Sequence, residues 1–96
     1  MNLDAASLFG LAGKTVVLTG AAGYLGRTMA ESLLANGARI VALGRSDRLH
    51  ERARGWASHY GDDRVRAVQV DMYDAAALDA ALDSIAAEET VDVLVN

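Results

Sequence analysis

Three glycines punctuate the stretch Thr19-Gly20-Ala21-Ala22-Gly23-Tyr24-Leu25-Gly26, and what flanks them leaves few folds open. Before them, Lys14 to Thr19 is a short, continuously apolar and β-branched run, the pattern of a strand covered on both faces in a parallel sheet. After them, Leu25, Met29 and Leu33 recur at four-residue steps with Ala30 and Leu34 beside them, and Asn36-Gly37 supplies a left-handed stop. That spacing predicts a helix from about Tyr24 to Ala35. A strand that turns through glycines straight into a helix places unpaired backbone N–H groups and a positive dipole end at the turn, and both favour a pyrophosphate. The glycines differ in what they make possible. Gly20 allows the tight turn, Gly23 removes a Cβ where phosphates would lie, and Gly26 lets the helix pack closely on the sheet. The expectation is a dinucleotide site along Gly20, Ala22, Gly23, Tyr24, Leu25 and Gly26.

The rest of the chain repeats the strand and helix alternation. Arg39 to Leu43 is a second buried strand, and Ser46 caps a segment in which Leu49, Ala53 and Trp56 or Ala57 share one face. Gly61-Asp62-Asp63 breaks that helix, and the β-branched run Arg64 to Val70 predicts a third strand, its interleaved Arg66 and Gln69 pointing to an edge position. Asp74 begins a third helix with Leu78, Leu82 and Ile85, joined by Ala81, as its buried stripe and Asp79, Asp83 and Glu88 as its wet face. Val91 to Val95 reads as a fourth strand. Right-handed crossovers fold such a chain into an α/β architecture, a three-layer Rossmann-type parallel sheet with helices on both faces and strand order 3-2-1-4. With no proline, no linker and no low-complexity stretch, residues 1–96 are expected to form one domain or part of one. A fourth strand this apolar expects a neighbour on its open side, which makes the chain read as the N-terminal part of a longer domain.

Charge and composition narrow the function. The net charge of −4 argues against nucleic acid as the main partner, since a face for phosphate backbones needs a basic surplus. The charge is uneven: between Arg45 and Arg66 six arginines face four acids, a net +2 against −6 over the rest. The absence of cysteine removes any disulfide, thiolate nucleophile or zinc-thiolate site. Met1 to Ser7 carries no basic residue, and no apolar run approaches the roughly 18 residues that span a bilayer. The expected setting is cytoplasmic, with no membrane partner. His50 and His59, nine residues apart on one helix, offer no metal-binding arrangement and are read as surface histidines.

The end of the second strand selects between cofactors, because an acid there bonds the adenosine ribose hydroxyls and a basic residue accepts a 2′-phosphate. The chain reads Gly44-Arg45-Ser46, a guanidinium and a hydroxyl where a phosphate would lie, so NADP is expected over NAD. Asp47, one residue further into the helix, keeps NAD as the alternative.

Taken in order, Leu11 to Lys14, the glycine loop, Gly44-Arg45-Ser46, Val70-Asp71-Met72 and Val91 to Asn96 resemble the short-chain dehydrogenase/reductase family over essentially the whole chain. The resemblance implies that Asp71 bonds the adenine amino group with Met72 flanking the ring, against a reading of Asp71 as a turn cap ahead of Asp74. It also implies that Asn96 is the first residue of the family's Asn-Asn-Ala-Gly motif. The glycine spacing is TGxxGxxG rather than the TGxxxGxG of the compact branch, which leaves the extended branch of nucleotide-sugar epimerases and dehydratases open, while Val91 to Asn96 looks like the compact branch. The family's chemistry uses a Ser, a Tyr and a Lys four residues after the Tyr. Here Tyr24, Tyr60 and Tyr73 are followed at that distance by Thr28, Arg64 and Ala77, and the only lysine is Lys14. No catalytic residue is therefore expected within the chain. The resemblance implies an NAD(P)-dependent oxidoreductase acting on a small-molecule carbonyl or alcohol and homo-oligomeric at full length. A dinucleotide-binding module without catalysis, and a partner-pairing role for the fourth strand, are the competing readings.

Overall fold

The computed structural model describes residues 11–21 and 23–95. Its elements run β1 (Thr15–Thr19), α1 (Tyr24–Ala35), β2 (Arg39–Gly44), α2 (Arg48–Tyr60), a single 3-10 turn (Asp62–Arg64), β3 (Val65–Gln69), α3 (Ala75–Glu88) and β4 (Val93–Val95). The four strands form one parallel sheet in the order β3-β2-β1-β4, as the alternation predicts. Val17 aligns with Val41 on one side and Leu94 on the other.

Side chains of a strand point alternately to its two faces, and the core divides accordingly. Val16, Leu18, Ile40 and Ala42 pack under α1 and α2 with Ala30, Leu34, Leu49 and Trp56. Val17, Val41 and Leu43 pack on the opposite face with Val70 and with Ile85 of α3. Helices therefore cover both sides of β1 and β2, which accounts for their unbroken apolar sequence. β3 lies at one edge of the sheet, as its alternation implies, and β4 lies at the other with Val93 and Leu94 exposed.

Several local expectations are corrected. The apolar row on α1 is corrected at two of its members: Leu25 is 78% exposed and Met29 43%, whereas Ala30 and Leu34 are buried as expected and Leu33 packs half-buried against the core. Gly26 has to face the sheet, and Ala30 and Leu34 follow it at four-residue steps, turning Leu25 and Met29 outward. α1 does end as expected, with Gly37 at φ 94° and the N–H groups of Gly37 and Ala38 donating to the carbonyls of Leu34 and Leu33, a Schellman stop.

β3 starts one residue later than expected because Arg64 belongs to the 3-10 turn. Its guanidinium donates to the carbonyls of Leu34 and Ala38, at 2.7 Å each from Nη2, and so closes the end of α1. β4 starts two residues later than expected because Asp92 pairs with β1 through its side chain. Asp92 Oδ2 accepts from the Thr15 N–H at 2.9 Å while its own N–H donates to the Thr15 carbonyl at 3.0 Å. α2 begins at Arg48, with Ser46 Oγ accepting the Arg48 N–H at 3.1 Å.

Candidate functional site

Strand order reverses between β1 and β4: the chain moves outward from β1 through β2 to β3 and then returns to the other side of β1. In open parallel sheets a crevice forms at that reversal, beyond the carboxyl ends of the strands. A groove does lie there, lined by Leu18, Thr19, Gly20, Leu25, Gly26, Met29 and Val95. The outward-turned Leu25 and Met29 form part of its wall.

The glycines shape the floor. Gly20 has φ 71°, a left-handed conformation that side chains resist, and its carbonyl accepts from the Gly23 N–H at 3.0 Å. Gly23 is extended, at φ −80° and ψ 171°, and precedes the first residue of α1. A β-carbon on it would meet only the Gly20 carbonyl oxygen, at an ordinary 3.4 Å, so this glycine is not demanded by packing among the described residues. Gly26 is: a β-carbon there would stand 2.6 Å from the Gly20 carbonyl carbon and 2.9 Å from Ala21 Cα.

α1 opens with neither a side-chain cap nor an acidic residue in its first turn. The N–H groups of Tyr24, Leu25 and Gly26 occupy the first helical positions, where no carbonyl one turn earlier within the helix can accept. The partial positive charge of the helix end is thus uncompensated by any first-turn acid and faces the groove, an arrangement suited to an anion. Tyr24 and Leu25 themselves project their side chains into solvent.

Arg45 and Ser46 are both exposed just beyond β2. Ser46 uses its oxygen as an acceptor for Arg48, which leaves its O–H able to donate to a ligand. Beyond β3, Asp71 Oδ1 accepts from the Tyr73 N–H at 2.9 Å and the Asp71 carbonyl from the Asp74 N–H at 3.0 Å, so the turn-cap reading of Asp71 describes one of its contacts. Its other oxygen lies 3.8 Å from Arg45 Nη1, which brings together the residues expected at the 2′-phosphate and at the adenine. Met72 is half-buried against the α3 side of the core. Ala22 and Asn96 lie outside the described residues.

Sequence reasoning missed Leu18, Met29 and Val95 as groove residues, and it missed Gln69. Read as a polar residue on an edge strand, Gln69 instead donates from Nε2 to the Arg45 carbonyl at 2.9 Å and to Asp47 Oδ1 at 3.2 Å. Only side-chain geometry carries that signal. The two histidines sit on α2, where His59 packs edge-on against Tyr60 with ring centroids 4.6 Å apart. Among the described residues no group of three or more His, Asp or Glu side chains converges on a metal position, and no helix is long and apolar enough to cross a membrane.

Residues 14–96 match the protein family described as short chain dehydrogenase. A short chain dehydrogenase/reductase of Macrophomina phaseolina is 36% identical over 97 residues, an alignment covering 100% of this chain and 55% of that protein. The D-threitol dehydrogenase of Mycolicibacterium smegmatis is 41% identical over 91 residues, covering 92% of this chain and 34% of that protein. Among solved structures, L-sorbose reductase from Gluconobacter frateurii, complexed with NADPH and L-sorbose, superposes with a TM-score of 0.80 at 38% identity, over 90% of this chain and 33% of that one. The chain thus spans from about a third to a little over half the length of these relatives.

Proposed function

The chain belongs to the short-chain dehydrogenase family, and we propose that it is the cofactor-binding portion of an NADP(H)-dependent oxidoreductase that interconverts a small-molecule carbonyl and alcohol. The observation that carries this reading is the uncapped, acid-free N-terminus of α1 at the β1/β4 reversal, with Arg45 and Ser46 exposed at the end of the neighbouring strand. The fit to a dinucleotide rests on the same geometry. Gly26 brings the first turn of α1 against the strand end, where its N–H groups would hold a pyrophosphate.

The hydride chemistry is the nicotinamide's when the cofactor is bound. What these residues do is hold and orient it. The first-turn N–H groups of α1 would donate to the pyrophosphate, and the Arg45 guanidinium with the Ser46 hydroxyl would take the 2′-phosphate. Asp71, whose Oδ2 faces Arg45, would accept from the adenine amino group. Leu18, Leu25, Met29 and Val95 give the groove apolar walls that reduce water around the bound molecule. The chain holds no tyrosine with a lysine four residues on, so its contribution is binding and positioning. A small polyhydroxylated substrate is supported by the D-threitol and L-sorbose named for the two relatives above.

Titration of the full-length protein with NADPH and NADH tests the reading. NADPH should bind more tightly, and Arg45→Ala should weaken NADPH by about 10- to 100-fold, the scale of one or two charge-assisted hydrogen bonds, while leaving NADH nearly unchanged. Equal affinity for both cofactors, unmoved by Arg45→Ala, would defeat the 2′-phosphate assignment. Binding of neither would defeat the dinucleotide site.

A further inference from the structure

Asp47 occupies the position immediately before the first residue of α2, where an aspartate ordinarily accepts the N–H groups of the first turn. It makes no such cap bond and has helical backbone angles, φ −62° and ψ −24°. Capping has passed to Ser46, whose oxygen takes the Arg48 N–H. The Asp47 carboxylate is instead turned across to β3, where the amide of Gln69 holds it at 3.2 Å. The same Nε2 donates to the Arg45 carbonyl at 2.9 Å. An amide nitrogen carries two N–H bonds, and here each has one acceptor.

Gln69 is the last residue of β3, in register with Gly44. Beyond that pair the two strands stay joined by the Val70 N–H donating to the Gly44 carbonyl, and their loops then part. The Gln69 side chain bridges the parting loops. It fixes the peptide carbonyl of Arg45, on the residue whose guanidinium reaches toward Asp71, and it restrains the one acid of the Arg45-Ser46-Asp47 loop. A carboxylate free to swing there would bond ribose hydroxyls or repel a 2′-phosphate, and either effect favours the non-phosphorylated cofactor.

We propose that Gln69 is a positioning residue for cofactor choice: by holding the Arg45 carbonyl and the Asp47 carboxylate together, it sets the preference for NADP(H) over NAD(H). This rests on the proposed function and goes beyond it, since Gln69 acts through the loop that carries Arg45 and Asp47. Its side chain is exposed and its backbone pairing is independent of it, so removing the amide leaves the strand ladder in place.

The experiment measures NADPH and NADH dissociation constants for the full-length protein and for Gln69→Leu, Gln69→Glu, and Gln69→Glu combined with Asp47→Asn, with melting temperatures alongside. Gln69→Leu removes both donors at similar length and should lower the NADPH preference about fivefold, the net scale of one hydrogen bond. Gln69→Glu sets a carboxylate against Asp47 and should lower it further. Adding Asp47→Asn supplies the missing amide from the other side and should restore part of the preference. A preference unmoved in the first two variants, or affinities for both cofactors falling by one common factor, overturns the inference while the proposed function stands. A wild-type protein that prefers neither cofactor, or binds neither, overturns it together with that part of the proposed function.

Discussion

Gly26 and Gly20 approach backbone to backbone, so closely that a β-carbon on Gly26 would stand 2.6 Å from the carbonyl carbon of Gly20 and nearer still to its oxygen. The neighbouring atoms are main chain on both sides of the turn, and no flexible side chain can give way. Gly26→Ala should therefore push α1 off the end of β1 and cost about 3 kcal/mol or more of stability, the upper range for overpacking a rigid site. Urea denaturation of the full-length protein measures it, and an unchanged midpoint would show that the close approach is dispensable.

Gly23 separates binding from folding. Its extended φ of −80° suits a β-branched residue, and the nearest described atom to a new β-carbon is an ordinary contact away. Gly23→Val should keep the melting temperature within about 3 °C, a change below roughly 1 kcal/mol for a domain of this size. It should weaken both dinucleotides at least about 100-fold, since the branched side chain stands where the phosphates would approach the α1 N-terminus. Retained tight binding by this variant would remove the glycine loop from the site.

How legible all this was follows from what each residue answers to. The strands and their order could be read because β1 and β2 are covered on both faces, which leaves an apolar signature, and because right-handed crossovers admit few topologies. The buried face of α1 could not. Leu25 and Met29 have helical spacing, but the rotation of the helix is fixed by the backbone contact at Gly26, which a search for large apolar residues overlooks. The ends of β3 and β4 were misjudged for a related reason: Arg64 and Asp92 spend their side chains on backbone groups of distant elements, Arg64 on Leu34 and Ala38 and Asp92 on Thr15. At the site, Arg45, Ser46 and Asp71 carry recognisable chemistry in recognisable places. Gln69 does not, because a glutamine becomes informative only when both of its acceptors are seen.

At the amino-terminal end of the sheet, Glu89 joins three elements. Its Oε1 pairs with Arg39 of β2 and its Oε2 lies 3.2 Å from Arg66 of β3, while its N–H ties it to Ile85 of α3 at 2.8 Å. The Arg39 hydrogen bond, opposed by burial and aided by the charges of Arg39 and Arg66, holds the Glu89 carboxyl below its ordinary 4.5. A carboxyl lowered in the folded state binds fewer protons there than in the unfolded chain, so its stabilisation is complete above about pH 4.5 and is lost as the pH falls through the folded value. Arg39 is raised by the same hydrogen bond and stays charged throughout this range. Glu89→Gln should cost about 2 kcal/mol near neutrality, the scale of removing one partner from a part-buried charged network. Below pH 4.5 that cost should shrink, with the wild-type stability falling toward that of the variant. Urea midpoints of both proteins from about pH 6 down to about pH 3 measure the difference, and two curves that stay parallel would show that Glu89 is not the group that titrates.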